Sequence, residues 1–219
     1  MESVELLDAL AYLMCLLGCK AFLWIRWYGS PYGRYSSQYS GPCVPVRAAW
    51  VLQELPSLAW PLLECACASA VRLDRLPNRV LLAMFLVHYI YRTLIFPFVI
   101  RGGKPTPLFT CVTAFLFCLY NGYLQSRYLS HYAVYAEDWV TQPCFLAGGL
   151  FEYVTAANYL GESVEWFGFA LASWSLQGAA FALFTFCVLL SRAMHHHRWY
   201  LEKFEDYPKS RKILIPFLY

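Results

Sequence analysis

Apolar stretches long enough to cross a hydrocarbon core recur along this chain, separated by loops carrying Pro, Gly and charge. A helix in water needs one polar face, and such a succession of largely apolar segments offers too few of them. With 59% hydrophobic and only 14% charged residues, the composition lies outside the range of soluble domains and fits lipid as the main solvent. The expected fold class is all-α: a polytopic transmembrane helical bundle forming a single membrane domain over residues 1–219.

About six spans are expected. The first runs from Val4 to Trp27, and a Gly-, Pro-, Ser- and Tyr-rich loop follows it. The second covers Arg47 to Val71, where Pro56 and Pro61 should bend the helix, and the third Arg79 to Ile100. After the basic turn RGGKPTP a fourth ends near Tyr128, and two more occupy Leu150–Trp166 and Phe167–Arg192. Glu2, Glu5 and Asp8 stand where a secretory signal would carry positive charge, so the first run is expected to be a retained span. Lys20 and Arg26 follow its apolar centre and place the amino terminus outside the cytosol. Charges interleaved with aromatics in HHHRWYLEKFEDYPKSRK suit a segment lying along the membrane surface.

Several function classes fall away. A scattered net charge of +3 gives no continuous basic surface for nucleic acid. The nine cysteines lie mostly in apolar stretches without zinc spacing, so Cys15, Cys19, Cys111, Cys118 and Cys187 are expected to be small buried hydrophobes. His195, His196 and His197 occupy consecutive helical positions pointing in different directions, which argues against a metal. No glycine-rich nucleotide motif occurs.

Polar groups inside spans cost free energy and so point to function. Trp50, Gln53, Glu54 and Ser57 fall at i, i+3, i+4 and i+7, one face of the second span. The stripe suits a pocket lining; the plainer alternative is that Glu54 only neutralises a buried base such as Arg92, or snorkels to the interface. His88, Tyr89 and Arg92 form a second patch, in which the Tyr89 phenol can donate and Arg92 can hold phosphate; interfacial anchoring of Tyr89 is the alternative. Asn158, Glu162 and Glu165 share a third face, and Arg192, His196 and Tyr200 a fourth. Spacing alone leaves open a transporter or an enzyme acting on a lipophilic substrate.

The stretches RAAWVLQELPS, LVHYIYRTLIFPF, RGGKP, NGYLQSRYLS, GGLFEYVTAANYLGE, EWFGFALASWS and FEDYPKSRK, in this order, resemble the steroid 5-alpha-reductases, the 3-oxo-5-alpha-steroid 4-dehydrogenases. RYLSHYAVYAEDWVT is most similar to the type 1 isozymes of that family. The resemblance implies a seven-span enzyme of the endoplasmic reticulum membrane. Such an enzyme uses NADPH to reduce the 4,5 double bond of 3-oxo-4-ene steroids such as testosterone and progesterone, taken from the lipid phase. It also implies that Glu54 and Tyr89 engage the 3-oxo group, where hydride delivery to C5 pushes charge onto the oxygen. Trp50, Arg92, Asn158, Glu162, Arg192, His196, Tyr200 and Arg211 would surround NADPH. A methyltransferase of the isoprenylcysteine type, with a similar carboxy-terminal layout, is a further candidate.

Against that family one departure stands out. Family members continue from the Phe-Leu matching Phe145 and Leu146 into a further apolar helix, an Asn-x-His-Ser-Asp motif and a Leu-Arg-x-Leu-Arg-x-Pro loop, whereas here Ala147 leads straight to Gly148. A span and its loop are missing, together with an Asn, an Asp and an Arg that would meet NADPH. Residues 1–146 then carry the first four spans and 148–219 the carboxy-terminal NADPH-binding part. Losing one span also reverses each later crossing, unless the acid-bearing stretch from Gly148 to Trp166 lies at the interface. The expectation is that this shortened chain has little reductase activity, and that a membrane binding protein is the alternative function.

Overall fold

The computed structural model describes residues 4–29, 41–66, 70–142, 158–203 and 213, and these residues are overwhelmingly helical. In chain order come α1 (Val4–Tyr28), α2 (Val46–Ala66), α3 (Leu76–Ile90), α4 (Phe96–Val99), α5 (Leu108–Arg127), α6 (Asn158–Ser173) and α7 (Leu176–Lys203). Helix α3 passes through a π-helical turn, Tyr91–Ile95, into α4. Helix α5 ends in a second such turn, Tyr128–Tyr132. A minimal antiparallel pair, β1 (Cys43–Val44) with β2 (Thr106–Pro107), ties the segment before α2 to the one before α5.

Four of these runs are long and apolar enough to cross a membrane: Val4–Tyr28, Leu76–Val99, Leu108–Tyr132 and Leu176–Lys203. The chain is thus an all-α, multi-pass membrane protein. Helix α2 has the length but is diluted by its polar stripe, and α6, with 16 residues, is shorter than the ~20 that a span needs. Pro56 and Pro61 both lie inside α2, which continues through them.

One boundary differs from expectation. Trp166 and Phe167 lie in the middle of α6, and the break comes at Trp174, whose φ of 41° no regular helix allows. The Ser175 hydroxyl accepts the Gly178 N–H at 3.0 Å, a cap on the start of α7. Apolar residues continue across this turn, so hydropathy alone does not reveal it.

The π turn after Ile90 has a local cause. Pro97 lacks the N–H that would bond the Thr93 carbonyl, and its ring would clash with that oxygen in a regular α-helix. The wider turn removes the conflict, with the Phe96 N–H reaching back to the Tyr91 carbonyl.

The chain divides into two compact units. One comprises Met1–Leu7 and Pro31–Val140, the other Asp8–Ser30 and Thr141–Tyr219. In the first unit α2 packs on α5 so closely that a Cβ on Gly122 would lie 2.8 Å from the Ser57 Cα, and Trp60 meets Tyr123 edge to face. Asn78, fully buried, donates from its amide to the carbonyls of Leu129 and Ala133 and so holds the second π turn against α3.

In the second unit α1 lies along α7. Gln177 donates to Asp8 at 2.7 Å, Ser191 to the Phe22 carbonyl at 3.2 Å, and His195 bonds the Ile25 carbonyl at 2.6 Å. Gly18 gives room for Phe184, and the Trp166 ring of α6 packs at a tilt against Phe181 of α7, with 4.3 Å between centroids. The first helix thus belongs with the last two, a pairing of elements 169 residues apart that sequence order does not suggest.

Candidate active site

Helix α2 presents Trp50, Gln53, Glu54 and Ser57 on the side that meets α3, the π turn and α5, as their spacing predicts. Gln53, Glu54 and Ser57 are buried. An unpaired carboxylate there would be costly, and Arg92, placed by the π turn, donates to Glu54 Oε1 at 3.1 Å. The Arg92 guanidinium also lies 4.7 Å from the Trp50 ring centroid, a cation–π contact, and Phe96 closes on Trp50 edge to face. Neutralisation of Glu54 by Arg92, the plainer of the two alternatives, is therefore real. It coexists with the polar lining, because the second carboxylate oxygen faces the Cys118 thiol at 3.7 Å.

Tyr89 is buried, 3% exposed, so it does not serve as an interfacial anchor. Phe85 and His88 pack against its ring, at 4.7 and 5.1 Å. Its phenol accepts from the Asn121 amide at 3.3 Å, and the charges of Glu54 and Arg92 both act on it. Ser57 donates to the Cys118 carbonyl at 2.8 Å. Trp50, Glu54, Tyr89 and Arg92 are thus gathered in one place, in which a phenol donor stands beside a charge-compensated carboxylate.

The other expected cofactor residues belong to the second unit. Glu162 lies on α6, and Arg192 and His196 on α7, all part-buried. His196 meets the Tyr159 phenol at 3.0 Å, a partner that the spacing of polar faces had not indicated. Asn158 is the first residue of α6 and Tyr200 lies in α7. Arg211 and the junction at Ala147 fall outside the described residues.

Two polar groups escaped the sequence reading. On α5, Cys118, Asn121 and Gln125 stand at i, i+3 and i+7, the same signal as on α2, and Gln125 donates to Asn121 at 3.3 Å. Cys118 is buried as expected, but as part of this polar face; Cys19 is exposed, and Cys15 and Cys187 are only part-buried. Further along, Glu64 of α2 lies 3.3 Å from both Arg127 and His131 and accepts from Ser130 at 3.0 Å. Glu64 had been passed over because its partners come from α5 and the turn after it.

Comparison with known proteins bears on what this arrangement serves. The family model for 3-oxo-5-alpha-steroid 4-dehydrogenase matches residues 104–148 and 146–219, two stretches that meet where the missing segment was expected. The chain is 61% identical to 3-oxo-5-alpha-steroid 4-dehydrogenase 1 of Mus musculus, with all of this chain and 99% of that protein covered. It is 56% identical to the Homo sapiens type 1 protein, covering 98% of the chain and 96% of the relative. Identity to the Homo sapiens type 2 protein is 40%, over 87% of the chain and 88% of the relative. The mouse alignment extends over 252 positions against a chain of 219 residues, a difference long enough for a membrane span.

Proposed function

Because the chain belongs to the 3-oxo-5-alpha-steroid 4-dehydrogenase family, we propose that its buried α2–α3–α5 site binds a 3-oxo-4-ene steroid for reduction of the 4,5 double bond, with NADPH as donor, in the endoplasmic reticulum membrane. Testosterone and progesterone have the required enone. The observation that carries this reading is the Tyr89 phenol, buried and hydrogen-bonded beside the Glu54–Arg92 pair.

The enone carbonyl needs a donor at C3, and Tyr89 is placed to give one. As the bond order shifts toward C3, negative charge grows on the oxygen, and a donor fixed in advance stabilises it without solvent rearrangement. An isolated carboxylate nearby would oppose that charge; Arg92 cancels the effect by pairing with Glu54. Burial among α2, α3 and α5 keeps bulk water away, which strengthens each of these interactions. A bound reduced nicotinamide supplies hydride to C5. In the first unit, Arg92 carries a guanidinium whose chemistry suits phosphate, with the aromatic Trp50 beside it. Arg192, Glu162, His196, Asn158, Tyr200 and Arg211 are assigned to the same cofactor by the family resemblance.

A second reading, a steroid-binding protein without turnover, is favoured by the gap at residues 146–148. The two are separated by turnover of testosterone in membranes containing this chain, at an NADPH concentration that half-saturates a full-length relative measured beside it. Loss of two charge-assisted contacts to the cofactor, at about 1.5–3 kcal/mol each, lowers its affinity at least ~100-fold. The expected result is therefore steroid binding with turnover strongly reduced; turnover equal to that of the relative would show the missing segment to be dispensable.

A further inference from the structure

We infer that Asn121, braced by Gln125, is a positioning residue that fixes the direction of the Tyr89 hydroxyl hydrogen and so makes the phenol a donor. This rests on the reading of Tyr89 as the group that meets the 3-oxo oxygen. Two hydrogen bonds lead from α5 to the phenol on α3. Gln125 donates to the Asn121 carbonyl oxygen at 3.3 Å, and Asn121 donates to the Tyr89 oxygen at 3.3 Å. On the neighbouring helix α2, Ser57 donates to the Cys118 carbonyl at 2.8 Å.

The Gln125 end sets the polarity of these bonds. Gln125 gives its N–H to the Asn121 carbonyl oxygen, so the group that Asn121 turns to Tyr89 is its NH2, which can only donate. The phenol oxygen therefore accepts from Asn121, and the phenol hydrogen points away from it. Were the Asn121 amide turned over, its carbonyl would claim the phenol hydrogen and leave nothing to donate to a ligand. Gln125 prevents this by occupying that carbonyl. Asn121 is fully buried and Gln125 2% exposed, so water cannot substitute for either. The phenol hydrogen is thereby kept for a steroid carbonyl, and the Asn121 N–H remains to stabilise the phenol oxygen as it gives up its hydrogen.

The test is equilibrium binding of tritiated progesterone and of its 3-deoxy analogue to membranes containing the full chain. The ratio of the two affinities reports the bond to the 3-oxo oxygen. Asn121→Leu is expected to lower this ratio about tenfold by weakening progesterone alone, and to add nothing in a Tyr89→Phe background. Gln125→Leu, which leaves the Asn121 side chain in place, is expected to lower the ratio several-fold and serves if Asn121→Leu fails to assemble. Equal weakening of both ligands would mean a structural role and overturn the inference. An unchanged ratio in Asn121→Leu and Gln125→Leu, with loss in Tyr89→Phe, would overturn it while leaving Tyr89 as the donor. No discrimination in the unaltered chain, or no effect of Tyr89→Phe, would remove the Tyr89 reading and this inference together.

Discussion

The Glu54 carboxylate, 8% exposed, depends on Arg92 for its charge balance. Arg92→Leu is expected to destabilise the protein by ~3 kcal/mol, because it strands a buried carboxylate, whereas Glu54→Gln should cost less by leaving the more exposed guanidinium. Thermal unfolding in detergent distinguishes the two; equal effects would mean that water reaches Glu54. The same logic applies to Glu64, where Glu64→Ala removes the carboxylate shared by Arg127, Ser130 and His131 but leaves the more exposed Arg127, and so should cost less than the ~3 kcal/mol of Arg92→Leu in the same assay. Trp50, Glu54 and Ser57 were legible as one face because all lie on one helix at fixed spacing. Glu64 was not, because its partners lie more than sixty positions away.

At the scale of elements, α2 and α5 meet backbone to backbone at Gly122. Gly122→Val would set side-chain atoms against Ser57 and the Pro56 carbonyl, neither of which is a flexible side-chain end. The expected outcome is loss of steroid binding through separation of the helices, read by the binding assay and by the monodispersity of the purified protein. At the α6–α7 turn the Ser175 cap is worth ~1 kcal/mol, and Ser175→Ala should lower stability by that amount without touching Tyr89. Helix existence was plain from apolar length. The turn was not, because a serine cap between apolar neighbours scarcely changes local hydropathy.

For the whole molecule, the site proposed for the steroid carbonyl lies in the unit formed by residues 1–7 and 31–140, which ends before the gap at residues 146–148. Reinserting the segment that full-length relatives carry there is expected to raise turnover at least ~100-fold, with little change in progesterone affinity. Matched measurements of turnover and binding test this, and a parallel rise in both would place the steroid site, too, under the control of the missing segment.

Membrane character, the all-α class and the polar stripes on single helices follow from the amino-acid sequence itself, since apolar length and helical spacing are local properties. The family, and the gap within it, were likewise legible in its motifs. Tertiary structure decided the rest: that Arg92 rather than water balances Glu54, that Asn121 reaches Tyr89 from another helix, and that α1 pairs with α7. Each of these joins residues far apart in the chain, and in an apolar interior a polar group takes whichever partner packing brings within reach. That choice is made by how the helices meet, and no local pattern encodes it.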